Sequence, residues 1–170
     1  MAVEYTLAED AIQKKTWDIM GQRHPGIAGC LNQGELVVVF REKASKSGGQ
    51  VVLGTSRKAA PLINALSGEN YVFILEIAKD QWMELTGTIA LKDGRTTTQQ
   101  EALLDHLLCS CHAEEDPKSG DWKFSVVNPD VSAYRRNVEE YGMWFPTSEE
   151  DQQSSAPDPV GDMFTKTDGE

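Results

Sequence analysis

Residues 71–78 read YVFILEIA, and this stretch decides the fold. It is a run of large apolar and β-branched residues, which is typical of a strand in the middle of a sheet. Residues 35–41, ELVVVFR, form a second such run, and residues 50–54, QVVLG, a shorter one after the turn at 46–49. We expect 35–41 and 50–54 to pair as a hairpin in a small sheet of about four strands, with 122–127 as another strand.

Helical spacing of apolar residues alternates with these strands. Residues 8–20 have this spacing, and residues 98–101, TQQE, have the spacing of a helix-capping box. We expect a helix from there to about Ala113, and a last helix that starts at residues 128–130 and ends near Gly142. The sum is an α+β domain with no internal repeat.

The bulk composition excludes several classes of protein. The chain has 170 residues, 39% of them apolar, and a formal net charge of −11. The acidity argues against direct nucleic-acid binding by this protein, because such binding needs a basic surface to neutralise phosphates. No run reaches the roughly 18 residues that span a membrane, the N-terminus lacks a secretory pattern, and the three cysteines are most simply reduced thiols. We therefore expect a cytoplasmic protein.

The composition changes near Pro146. Residues 147–170 carry seven carboxylates against one lysine, and they hold six of the eleven net negative charges. A segment of this kind cannot bury enough apolar surface to offset the entropy lost on ordering. We expect a folded domain over residues 1–146, followed by a disordered acidic tail over 147–170 that folding does not require.

The helix beginning near Thr98 has three distinct sides when about 100° is assigned to each residue. Its apolar stripe consists of Leu104, Leu107, Leu108 and Cys111. His106 and Ser110 lie away from this stripe. A flank beside it carries residue types that bind metals: Asp105, Cys109 and His112. Zinc accepts such a set, but one helix rarely supplies all three ligands, so a polar helix face is the expected role. His24 is expected in an exposed turn.

Several segments between about Gly34 and Trp144 resemble the phage metallopeptidase family. They include residues 102–106 (ALLDH), 130–131 (DV) and 141–144 (YGMW). In that family the helix reads Ala-Leu-x-Asp-His-Glu-Leu-x-His, and a further His lies in a downstream Pro-His-Asp-Val segment. The resemblance implies a single zincin-like domain with a small sheet, an amphipathic active-site-type helix and a C-terminal helix.

The residues that carry the family's chemistry are mostly different in this chain. His106 matches the first family ligand, but Leu107 occupies the position of the glutamate that acts as general base. Ser110 and Pro129 occupy the positions of the other two histidine ligands. A catalytic zinc ion needs three protein ligands and a carboxylate that accepts the proton of its water. The motif is therefore degenerate, and no zinc cofactor is expected in it.

These differences favour a non-catalytic factor of a phage or prophage that binds a host or phage protein, in host interaction or anti-defence. The alternative is an active zinc-dependent metallopeptidase, which uses other ligands or whose parent motif was mutated. A second alternative is an acidic DNA mimic that inhibits a nucleic-acid-binding protein. That role needs carboxylates patterned on the folded surface, whereas more than half of the net charge lies in the tail.

Overall fold

The computed structural model describes residues 2–128, 135–142 and 144. Its strands are, in chain order, β1 (Tyr5–Leu7), β2 (Leu36–Arg41), β3 (Ser45–Ser47), β4 (Gln50–Val52), β5 (Gly54–Lys58), β6 (Phe73–Ala78), β7 (Thr88–Ala90), β8 (Thr96–Thr98), β9 (Cys111–Glu115) and β10 (Trp122–Val126). Its helices are α1 (Asp10–Arg23), α2 (Pro25–Ala28), α3 (Pro61–Ser67), α4 (Lys79–Glu84), α5 (Gln99–Cys109) and α6 (Arg135–Tyr141). The predicted tail over 147–170, and Pro129, lie outside the described residues.

A mixed four-stranded sheet in the order β1-β2-β6-β5 organises the domain. The two most apolar runs of the sequence, β2 and β6, are its central pair and run parallel to each other, with Leu36 opposite Phe73. β1 and β5 are the antiparallel edges. Val38, Leu75 and Ile77 have no exposed surface, as expected for central strands. The prediction of an α+β domain with a small sheet of about four strands is confirmed.

The predicted hairpin between residues 35–41 and 50–54 is wrong. The turn at 46–49 closes a smaller hairpin, in which β3 pairs with β4 and Ser47 lies opposite Gln50. β2 is instead occupied on both sides, by β1 and by β6. The physical reason is burial, because two strongly apolar strands bury more surface beside each other than either does beside the exposed β4.

Helices α1 and α5 supply the other half of the core. They pack against each other, and the shared core cluster joins Met20 of α1, Leu104 and Leu108 of α5 and the sheet residues Val38 and Leu75. No described helix is both long enough and apolar enough to cross a membrane. The C-terminal part of α5 carries the candidate site at the edge of this core.

The start of α5 was predicted correctly and its end was not. The Thr98 side chain accepts a hydrogen bond from the Glu101 backbone N–H at 3.1 Å, which caps the helix as the TQQE spacing predicts. The helix ends at Cys109 rather than near Ala113, because residues 111–115 form β9 and pair with β10. His112 is consequently an exposed strand residue.

Candidate functional site

A cleft of about 190 Å³ opens between the C-terminal part of α5, the edge strand β5 and the chain that follows β10. Its lining comes from three segments, which contribute Gly54, Thr55 and Ser56; His106, Leu107 and Ser110; and Val126, Val127 and Asn128. His106 and Ser110 lie four positions apart on one face of α5, and Leu107 lies on the neighbouring face beside them. The cleft therefore brings together three of the four positions that the resemblance assigns to the metallopeptidase motif. The fourth, Pro129, adjoins Asn128 but is outside the described residues.

Leu107, which the resemblance places at the general-base position, is a packing residue. Its side chain is 3% exposed and belongs to the main core cluster. A Cβ built on Gly54 would lie only 3.1 and 3.3 Å from its two methyl carbons, so Leu107 rests directly against the backbone of β5. A leucine in this position offers no group that could accept a proton from water.

Ser110, which the resemblance places at the position of the second ligand, completes the helix end. Its hydroxyl donates a hydrogen bond to the carbonyl oxygen of Leu107 at 2.6 Å, and the Ser56 hydroxyl donates to the same oxygen at 2.7 Å. Ser110 is buried, and its own carbonyl oxygen accepts from the N–H of Val127 at 2.8 Å. The hydroxyl therefore satisfies a carbonyl that the end of α5 leaves open.

His106, which the resemblance matches to the first family ligand, is half-buried at the cleft. Burial lowers the pKa of His106, and the nearby Asp105 carboxylate opposes that shift only in part. Its ring makes an edge contact with the indole of Trp144, with the ring centroids 6.0 Å apart. The imidazole is thus neutral near pH 7, which is the form that binds metals.

The described residues of the cleft do not fit a catalytic zinc ion. His106 is the single side chain among them that zinc favours as a ligand, whereas a catalytic site holds the ion with three. Leu107 supplies no base, and the Ser110 hydroxyl is engaged by the helix end. These described residues therefore lack both the ligand set and the base that zinc-dependent hydrolysis needs.

The close contact between β5 and α5 predicts a loss of stability when the glycine at the contact is replaced. Replacing Gly54 with alanine is expected to destabilise the protein by about 1 kcal/mol, because the new methyl would lie 2.9 Å from the Glu76 carbonyl oxygen and against Leu107. Gly21→Ala is the matched control, since Gly21 lies within α1 and its added methyl would meet nothing within 4 Å. That control should be neutral or stabilising by up to about 1 kcal/mol. Equal denaturant midpoints for the two variants would contradict the close contact.

A second polar cluster surrounds Asp105, which is fully buried on α5. Its Oδ1 accepts hydrogen bonds from Arg23 Nε at 2.8 Å and from His24 Nε2 at 2.7 Å, and its Oδ2 accepts from Asn137 Nδ2 at 2.8 Å. Burial raises the pKa of Asp105, but these three donors outweigh burial and the net shift is downward. Asp105 is therefore a buried carboxylate in which every acceptor oxygen is used.

The prediction that His24 lies in an exposed turn is wrong. His24 is buried between α1 and α2, because its ring meets the Asp105 carboxylate of a helix 81 residues further along the chain. A carboxylate inside the core needs donors, and the histidine and Arg23 at the end of α1 supply them. The signal available in the sequence was Asp105, a polar residue beside the apolar stripe of α5, which indicates a need for buried donors but does not identify them.

The same cluster holds the C-terminal part of the described chain. Asn137 of α6 accepts a hydrogen bond from the Trp144 indole N–H at 2.6 Å and donates to the carbonyl oxygen of Ala102 at 3.1 Å. Gln99 donates to the backbone oxygen of Trp144 at 3.0 Å. Residues 141–144, YGMW, therefore carry a tryptophan that fixes α6 to α5 and contacts His106.

The group of potential metal ligands in the structure differs from the predicted group on α5. Asp105 and Cys109 lie together, with 4.0 Å between Cys109 Sγ and Asp105 Oδ2. His112 lies on β9 and is not part of this group. His24 takes its place, and the donor atoms of His24, Asp105 and Cys109 all lie within 4.8 Å of one another.

Comparison with known proteins gives one match. The family model described as "Putative phage metallopeptidase" matches residues 4–156 of the chain. A comparison with curated proteins found no match, and a comparison with solved structures found none either. The matched range includes both the cleft and the Asp105 cluster.

Proposed function

Since the chain belongs to the phage metallopeptidase family, we propose that it keeps the metallopeptidase-like scaffold but acts without hydrolysis, by binding a protein of the host or of the phage. The observation that carries this proposal is Leu107. An apolar side chain packed against Gly54 stands where catalysis requires a carboxylate. The Ser110 hydroxyl, bonded to the helix end, supports the same conclusion.

An exposed apolar helix supports a protein-binding role. Every residue of α3 is described, and none of them is buried. Leu62 and Leu66 are 67% and 80% exposed, and Ile63 is exposed beside them. The helix is nevertheless held in place, because the Asn64 side chain bonds both the N–H and the carbonyl oxygen of Tyr71. Large aliphatic side chains that are fixed and clustered on a surface are typical of protein interfaces.

The loss of hydrolysis can be tested directly. The purified full-length chain, supplied with zinc, is expected to release no more peptide from a denatured protein substrate than a His106→Gln variant does. A variant with Leu107→Glu, Ser110→His and Pro129→His restores the family residues and serves as the comparison. Hydrolysis by the unaltered chain that is lost both with a chelator and in His106→Gln would overturn the proposal.

The binding role needs a separate experiment. Chemical crosslinking in bacterial cells that express the chain, followed by mass spectrometry, is expected to capture a specific protein. Leu62→Asp with Leu66→Asp should abolish that crosslink, because charges would replace the apolar face of α3. Met83→Asp is the control, since Met83 of α4 is also 66% exposed. The same crosslinks with both variants would show that α3 is not the binding surface.

A further inference from the structure

We propose that His24, Asp105 and Cys109 form a three-ligand binding site for a borderline divalent metal ion of the Zn²⁺ class, separate from the cleft, with water in the fourth position. Imidazole nitrogen, carboxylate oxygen and thiolate sulfur are the three ligand types that zinc uses in proteins. Their donor atoms lie within 4.8 Å of one another. This site goes beyond the proposed function and does not depend on it.

The positions of the donors suit an ion of this size. α5 supplies Asp105 and Cys109 one helical turn apart, and His24 reaches them from the junction of α1 and α2. Zinc–ligand distances of about 2.0 to 2.3 Å place donors about 3.2 to 3.8 Å apart in a tetrahedral site. The separations of 2.7 Å from His24 Nε2 to Asp105 Oδ1 and 4.0 Å from Asp105 Oδ2 to Cys109 Sγ bracket that range. Binding would require His24 and Asp105 to move apart and Cys109 to approach them.

Arg23 is the competing cation, and it has a second position available. It donates to Asp105 Oδ1 through Nε at 2.8 Å and to Oδ2 through Nη2 at 3.4 Å, but its Nη1 also lies 3.3 Å from Glu140 Oε2. Its guanidinium carbon lies 5.2 Å from the centre of the Tyr141 ring. When an ion takes the Asp105 oxygen, Glu140 and Tyr141 retain the arginine.

The formal charges of the described cluster favour a divalent ion. Arg23 carries one positive charge, and Asp105 and Glu140 carry two negative ones. The net charge of these three side chains is therefore −1. A divalent cation adds two positive charges and the Cys109 thiolate adds one negative charge, so the net charge becomes zero. This matters because unbalanced charge is costly in the interior. On binding, the Cys109 thiol releases its proton to solvent, and the His24 proton that Nε2 donates to Asp105 in the metal-free protein moves to Nδ1, so that Nε2 is free to bind the ion.

The site has the character of a structural centre. Asp105 and His24 are buried, and Asn137 holds the second carboxylate oxygen as metal-bound carboxylates are commonly held. None of the three proposed ligands lines the cleft. Asp105 and Cys109 lie about 100° around α5 from His106 and Ser110. An ion here would join α1 to α5 and leave the cleft unaffected.

Cobalt titration of the metal-free, full-length protein tests this site. One equivalent of Co²⁺ is expected to produce thiolate-to-cobalt charge-transfer absorption with the visible bands of tetrahedral cobalt, and to raise the thermal midpoint by several degrees. Cys109→Ser and His24→Gln should lose the charge-transfer band. Cys111→Ser and His106→Gln should keep it, since Cys111 is buried against the core and His106 belongs to the cleft.

Cys109→Ser is the decisive variant because it leaves the bonds from Arg23 and His24 to Asp105 in place, so that loss of folding does not obscure the result. Absence of the charge-transfer band in the unaltered protein would overturn the site. So would a band that persists in Cys109→Ser. Metal binding that is lost in His106→Gln and kept in Cys109→Ser would overturn this site, and it would count separately against the non-catalytic function.

Discussion

Replacing Asp105 with alanine is expected to lower the free energy of unfolding by about 3 to 5 kcal/mol. The substitution leaves Arg23 and His24 beside a buried space without the carboxylate that accepts their hydrogen bonds. The Asn137 amide loses a partner at the same time, so the contact between α6 and α5 weakens as well. Chemical denaturation in the presence of a chelator measures this loss without any contribution from a bound metal.

The control for this experiment is Asp93→Ala. Asp93 also pairs with an arginine, Arg95, but on the surface, where water replaces a lost ion pair at little cost. Its denaturation midpoint is expected to stay unchanged. An Asp105→Ala variant that behaves like Asp93→Ala would show that the buried cluster does not stabilise the fold.

The acid dependence of stability provides a second measurement on Asp105. Its folded-state pKa is lowered, below the roughly 3.9 of an unfolded aspartate. The carboxylate therefore contributes stability that is fully present above about pH 4 and is lost as the pH falls through the folded pKa. Asp105→Asn should be less stable than the unaltered chain at pH 7, and the difference should shrink below pH 4. A constant difference across this range would exclude ionisation of Asp105 as its source.

The sequence pattern was sufficient to predict the two central strands, but it was not sufficient to predict which strands pair with them. β2 and β6 are recognisable because unbroken apolar runs are stable only where both faces are covered. Their parallel pairing joins Leu36 to Phe73 across 37 positions, and no local pattern encodes that register. β1 was not predicted, since Tyr5–Leu7 is short and exposed and becomes a strand only by pairing with β2.

Some features of the candidate site could likewise be predicted from the sequence, and others could not. Helical spacing places His106 and Ser110 on one face of α5, so their proximity could be predicted, whereas the contribution of Leu107 to the cleft could not, because Leu107 belongs to the apolar stripe. The end of the helix could not, because β9 depends on pairing with β10. His24 was missed for a related reason, since its environment is set by Asp105, and a lone histidine before a proline carries no trace of such a distant partner.

Introducing at position 107 the glutamate that the resemblance implies there, by Leu107→Glu, is expected to destabilise the protein by about 1 to 3 kcal/mol. Leu107 is buried in the core cluster, and its methyl groups meet the backbone of β5 at Gly54. A carboxylate at this position would lose the apolar packing of the leucine. It would also introduce a buried charge without a zinc-bound water molecule from which it could accept a proton. Leu107→Met is the matched control, because it conserves volume and apolar character and should cost less than about 1.5 kcal/mol.

The pH dependence of this variant separates lost charge solvation from lost packing. A buried, unpaired glutamate has a pKa raised above the roughly 4.3 of an unfolded one. It is protonated in both states at low pH, so the electrostatic cost is absent below about pH 4 and grows as the pH rises until the folded group ionises. Denaturant titrations of Leu107→Glu and Leu107→Met should therefore converge at low pH and diverge toward neutrality. Equal midpoints at pH 7 would mean that the carboxylate reaches water through the cleft, in which case the cleft is open enough to bind a ligand and Leu107 is its wall.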